Sequence, residues 1–130
     1  MVISLAIYGA PYSSQASSSA YRFALAALRQ GHRIHRLFFY ADGVQNATAL
    51  ASPPQDEVHL QERWQQMARD YQIDMVVCVA AALRRGIINS EEAQRYQKPA
   101  ANLLPGFDIS GLGQLLEAAV SSDRLITFGS

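Results

Sequence analysis

The chain has a single cysteine, Cys78, and its setting suits a working thiol. It ends the apolar run Met75-Val76-Val77 and is followed at once by Val79-Ala80-Ala81-Ala82-Leu83-Arg84-Arg85-Gly86. A buried strand that stops at a thiol and passes into a helix-prone segment places sulfur at the carboxyl edge of a sheet. In open α/β sheets that edge is where ligands and reacting groups gather. Taken alone the residue is ambiguous, because free cysteine is among the most buried residue types and a thiol closing an apolar strand usually packs. Backbone N–H groups at a helix start favour a nearby anion by about 0.3–1 kcal/mol, a modest push. A strongly activated thiolate needs a cation as well. Arg84 and Arg85 are the nearest candidates for stabilising it.

Other constellations carry less. His32, His35 and His59 lack a metal-ligand pattern and read as structural, so no metal site is expected. Glu91-Glu92 and Asp56-Glu57 read as first-turn carboxylates facing helix N-termini rather than as an acid/base pair. The segment Gly9-Ala10-Pro11-Tyr12-Ser13-Ser14-Gln15 sits where a phosphate binds in α/β architectures. It has neither a G-x-G-x-x-G pattern nor a P-loop lysine, and its proline removes an N–H. A nucleotide or flavin is therefore not expected, and no cofactor is assigned. Trp64 and the tyrosines read as core and interface, since no basic stripe accompanies them.

The elements that must position Cys78 follow from periodicity and punctuation. Met1–Tyr8 reads as a buried strand ended by Gly9-Ala10-Pro11. Ser17, Ser18 and Ser19 offer N-caps for a helix running to about Gln30, with Gly31 as its stop. Arg33–Tyr40 is a second strand, closed by Asp42-Gly43. A helix from about Asp56 to Tyr71 carries Leu60, Trp64, Met67, Ala68 and Tyr71 on one face. Asp74–Val79 is the third strand, a short helix follows Ser90, and residues 98–106 form a loop. A brief strand lies around Phe107–Ile109. Leu112, Leu115, Leu116, Ala119 and Val120 form the apolar stripe of a last helix, and Leu125–Phe128 the closing strand. Strands alternating with helices imply parallel crossovers. The expected fold is a single α/β domain over residues 1–130, a doubly wound three-layer sandwich with a mostly parallel sheet of about five strands.

Composition bounds the partners. Eleven basic residues balance eleven acidic ones, so no global field draws the chain to nucleic acid or an anionic membrane. Charged residues make up only 17% and apolar residues 49%, which implies a large core or a surface covered by another subunit. The first helix sharpens that choice: from Ala20 to Leu28 its only charged residue is Arg22, which suggests burial between its own sheet and a partner. Nothing reads as a membrane span or an export signal, and one unpaired cysteine fits a reducing cytoplasm.

Five tracts together resemble the DsrE/TusD family of sulfur-relay proteins over nearly the whole chain. They are the Pro11-Tyr12 loop with Ser14-Gln15-Ala16-Ser17, Phe38-Phe39-Tyr40-Ala41-Asp42-Gly43-Val44, and Ser52-Pro53-Pro54-Gln55-Asp56-Glu57. The others are Cys78 through Gly86, the most specific of the five, and Ser110-Gly111-Leu112-Gly113-Gln114-Leu115. The resemblance implies a sulfurtransferase subunit whose Cys78 carries sulfane sulfur as a persulfide. It implies assembly with paralogous subunits of the same fold, TusB/TusC-like or DsrF/DsrH-like, in a heterohexamer. In the tRNA branch a TusA-like donor and a TusE-like acceptor serve synthesis of wobble 2-thiouridine. In the sulfur-oxidising branch the acceptor is DsrC-like.

The leading expectation is the tRNA relay, with no direct nucleic-acid contact; the alternatives are a DsrE-type subunit of a sulfur-oxidation complex and a non-catalytic scaffold. Relay requires a thiol at a sheet rim open enough for another protein's thiol to reach. The loop from Lys98 to Phe107, bracketed by Pro99 and Pro105, is expected to shield the carried sulfur.

Overall fold

The computed structural model describes residues 1–129. Its strands are β1 (Val2–Ile7), β2 (Arg33–Phe39), β3 (Asp74–Cys78), β4 (Phe107–Ser110) and β5 (Arg124–Phe128). Its helices are α1 (Ala16–Arg29), α2 (Leu60–Tyr71), α3 (Val79–Arg84), α4 (Ser90–Arg95) and α5 (Gly113–Ser121), with a 3₁₀ segment at Ala41–Ala47. The five strands form one sheet in the order β4-β3-β2-β1-β5, and every neighbouring pair is parallel.

That order explains the layers. The chain moves from β1 to β4 in one direction, then crosses back to β5 beyond β1. Right-handed crossovers in opposite directions put their helices on opposite faces. Phe39 on β2 meets Trp64 of α2, with ring centroids 5.4 Å apart. Arg36, three residues earlier and so on the other face, donates to the Gln114 carbonyl of α5 at 2.9 Å. The doubly wound α/β reading therefore holds, with an all-parallel sheet of five strands.

The core is densest on the α1/α2 face. Trp64 stands edge-on to Tyr21 of α1 and to Phe39, and Phe39 packs on Phe107 at 5.4 Å. Leu5, Ile7, Leu37, Phe39, Met75 and Val77 are fully enclosed beneath them. Each large apolar side chain so buried contributes about 1.5–3 kcal/mol.

Helix ends follow local signals in part. α1 stops as expected: Gly31 has φ +88°, and the N–H groups of Gly31 and His32 bond Leu28 O and Ala27 O, a Schellman closure. Its start differs. Gln15 is the N-cap, and Ser17 lies inside the helix, buried, donating to Gly9 O at 2.6 Å. α2 begins at Leu60, four residues later than the sequence pattern suggested, so Asp56 and Glu57 lie outside its first turn. Its outer stripe residue Tyr71 is exposed. Glu91 and Glu92 do occupy the first turn of α4.

The last helix departs most from expectation. Only Ala118 of α5 is buried, while Leu116 is 68% and Val120 79% exposed. By contrast α1 lays Tyr21, Phe23, Leu25 and Leu28 half-buried against its own core. Large apolar side chains are thus more exposed on α5 than on α1.

Candidate functional site

Cys78 lies where the sequence places it, as the last residue of β3, paired in register with Ser110 of the edge strand β4. It is also the N-cap of α3, with φ −61° and ψ 124°. At that position a serine or aspartate oxygen normally accepts an N–H from the first turn. A thiolate there meets the same uncapped donors, which is the helix-start field expected from the sequence.

The rim is not open at this point. Cys78 is only 3% exposed, so no protein thiol reaches its sulfur in this arrangement. The expectation of an accessible thiol is corrected accordingly. The reason lies in the immediate turn of the chain into α3, which packs back on β3, on β4 and on the 3₁₀ segment.

The arginines lie at the far end of the same helix, about 9 Å along its axis from the thiol. Arg85 donates from Nε to Asp42 Oδ1 at 2.9 Å and from NH1 to Ala81 O at 3.1 Å. It braces α3 against the 3₁₀ segment. Arg84 is exposed in the last turn. Among the described residues neither arginine is hydrogen-bonded to Cys78. Gly86, with φ +74°, ends α3 through bonds from Gly86 N–H to Leu83 O and from Ile87 N–H to Ala82 O.

The 3₁₀ segment, which packs on α3 and β3, belongs to a buried polar network whose bonds the sequence did not reveal. Ser17 and Asn46 are fully buried and Gln61 nearly so. Asn46 Nδ2 donates to Ser17 Oγ and to Gly43 O, both at 2.9 Å, and Asn46 Oδ1 accepts from Trp64 Nε1 at 3.0 Å. Tyr12 donates its hydroxyl proton to Gln61 Oε1 at 2.8 Å and accepts from Leu60 N–H at 3.0 Å, so it caps α2 from a distant loop. Gln61 Nε2 in turn donates to Gln45 O at 3.2 Å. Gly43 anchors the 3₁₀ segment on the end of β1, its N–H bonding Tyr8 O and Tyr40 O. A side chain there would collide with the Ile7 carbonyl. Its presence in a family-like tract was the one signal that could have drawn attention to it.

The loop over residues 98–106 is tied down. Leu103 bridges Thr48, Asn102 Oδ1 accepts from Ile88 N–H at 2.9 Å, and Gln65 donates to Pro105 O at 2.9 Å. Its partners are the end of the 3₁₀ segment, the turn after α3, and α2. Among the described residues, Glu92 Oε2 of α4 is a buried oxygen with no hydrogen-bond partner.

The histidines serve structure. His59 Nδ1 accepts from Glu62 N–H at the start of α2, at 3.4 Å. His35 and Arg36 both reach Glu117 of α5, at 2.8 and 2.6 Å. They manage this because β2 carries an extra residue there: Ile3 faces Ile34 but Ser4 faces Arg36. Such a bulge lets two consecutive side chains turn toward one face. The Ser121 hydroxyl, then the hydrogen bond from His35, then the charges of His35 and Arg36 hold the Glu117 carboxyl down at about 2. No His/Cys/Asp/Glu cluster suited to a metal occurs among the described residues.

A solitary thiol thus stands at the carboxyl edge of a parallel five-stranded sheet, in the N-cap position of the next helix, in a small α/β protein. Residues 1–128 match the DsrE/DsrF-like family, and the chain belongs to it. It is 57% identical over 129 residues to the DsrE protein of Allochromatium vinosum, covering 99% of both chains. It is 53% identical over 124 residues to sulfurtransferase TusD of Serratia proteamaculans, covering 95% of this chain and 96% of that one. The YchN protein of E. coli superposes with a TM-score of 0.79 at 22% identity, covering 98% of this chain and 99% of that one, and so shares its fold.

Proposed function

We propose that the chain is a sulfurtransferase subunit of a sulfur relay, with Cys78 as the persulfide carrier. The observation that carries this reading is the position of its only cysteine, the N-cap of α3 at the sheet's carboxyl edge, in a chain so close to a protein named sulfurtransferase TusD. The Cys78 thiolate attacks the outer sulfur of a donor persulfide. The bond between the donor's own sulfur and that outer sulfur breaks, the donor leaves as a thiolate, and Cys78 holds the sulfane sulfur. An acceptor thiolate then takes the outer sulfur and Cys78 returns as thiolate. Each step is an exchange at sulfur, with no net oxidation and no cofactor.

Burial gives this chemistry a gate. With 3% exposure, Cys78 exchanges sulfur only when its surroundings move, and the carried sulfur is sheltered from small thiols in between. The uncapped first-turn N–H groups of α3 begin at Cys78. Arg85 is bonded to Asp42, whereas Arg84 has no ion-pair partner among the described residues and is the one of the two left for stabilising the thiolate.

The subunit works in the cytoplasm with TusB/TusC-like paralogues, a TusA-like donor and a TusE-like acceptor, and its sulfur ends in wobble 2-thiouridine. The 57% identity to DsrE supports a second reading, a DsrF/DsrH-like assembly delivering to a DsrC-like acceptor. No helix among the described residues is long and apolar enough to cross a membrane. The exposed face of α5 is the surface we assign to subunit contact.

Replacing Cys78 by Ser in the assembled complex tests the reading. Transfer from a persulfidated donor to an acceptor thiol should cease while the subunits stay associated. Transfer at the wild-type rate would make the chain a scaffold.

A further inference from the structure

Between α1 and the start of α2 runs an open groove of about 580 Å³, away from the thiol's own strand. Its walls are Tyr12, Tyr21, Val58 and Leu60, with Arg22 and Arg63 on the rim. Tyr12 and Val58 are 53% and 54% exposed. Tyr12 holds this place in a left-handed backbone conformation, φ +71°, which an L side chain seldom adopts. Its hydroxyl is fastened to Gln61 and to Leu60 N–H. The hydroxyl thus fastens the loop to the start of α2 while the ring stays exposed in the groove.

The two guanidinium groups are equally unoccupied. Neither Arg22 nor Arg63 has an ion-pair or side-chain hydrogen-bond partner among the described residues. Glu57 is the only carboxylate on the groove, so positive charge prevails. Tyrosine and arginine are the side chains most enriched where proteins bind proteins. Small-molecule sites enclose most of their ligand, whereas this groove is partly open to solvent.

We propose that the groove docks an acidic segment of a partner protein, an apolar side chain resting on Tyr12, Tyr21 and Val58 while flanking carboxylates pair with Arg22 and Arg63. The interaction is separate from the chemistry at Cys78 and does not depend on the sulfur-relay reading.

The chain supplies its own reporter. Trp64 is its only tryptophan, is fully buried, and meets Tyr21 edge-on at 5.3 Å, so occupancy of the groove perturbs its emission. The intact protein is titrated with the capped peptide Glu-Glu-Phe-Glu-Glu, with Lys-Lys-Phe-Lys-Lys, and with inorganic phosphate. The acidic peptide should give a saturable change that weakens with added salt. Arg22→Gln with Arg63→Gln should weaken it about fivefold, and Glu57→Gln should strengthen it; all three positions are exposed, so folding is unaffected. Cys78→Ser should leave it unchanged. Equal binding of the basic peptide, an equal response to phosphate, or wild-type affinity in the double variant would each overturn the proposal.

Discussion

At the carboxyl rim, Ser17, Asn46, Gln61 and Trp64 are buried and their side-chain polar atoms are bonded to another part of the chain. On the flank formed by α5 and the edge strand β5, Leu116 and Val120 face outward and Ala118 alone is enclosed in the helix. The rim is finished within the single chain; the flank is not. Buried side-chain networks hold the rim loops in place because each broken member leaves an unpaired group. Exposed apolar groups of this kind mark the flank as the surface proposed for subunit contact.

The contrast can be broken from the rim side first. Gly43→Ala forces a methyl group against the Ile7 carbonyl, a backbone atom that cannot step aside. It should cost about 3 kcal/mol, read as a lower denaturant midpoint. Asn46→Ala leaves the Trp64 N–H without its acceptor and frees Ser17 and Gly43, and should cost about 2 kcal/mol with a shift in tryptophan emission.

The link between β2 and α5 is weaker and depends on pH. Because Glu117 is held at about 2 in the folded chain against an ordinary 4.5, its bonds to Ser121, His35 and Arg36 stabilise fully above pH 4.5. That contribution fades as pH falls and is gone once pH has passed below about 2. Melting temperature should therefore drop more steeply between those limits in the wild type than in Glu117→Gln.

Smallest of all is the effect expected on the flank. Leu116→Asp with Val120→Asp should change the stability of the isolated chain by about 0.5 kcal/mol or less, yet prevent association with partner subunits in size-exclusion chromatography. A large loss of stability in the single chain would mean that the flank is core after all.

Much of this arrangement was legible in the sequence because it rests on local signals. The run Met75-Val76-Val77-Cys78 announced its strand and the thiol at its end, and Gly31 announced the end of α1. What escaped notice depends on distant partners. The start of α2 is set by a tyrosine hydroxyl from residue 12, nearly fifty positions away. Ser17 looked like a cap and instead joins the buried network with Asn46. Periodicity located α5 but could not say that little would lie over its outer stripe. Nor does any local pattern reveal that the turn into α3 encloses Cys78, or that a bulge at His35 brings two side chains to Glu117.

The most direct test is intact mass spectrometry of the protein after incubation with a persulfide donor. The wild type should gain one reductant-labile sulfur atom, mapped to Cys78, and Cys78→Ser should gain none. An unmodified wild type, under conditions where a known carrier thiol is charged, would contradict the account.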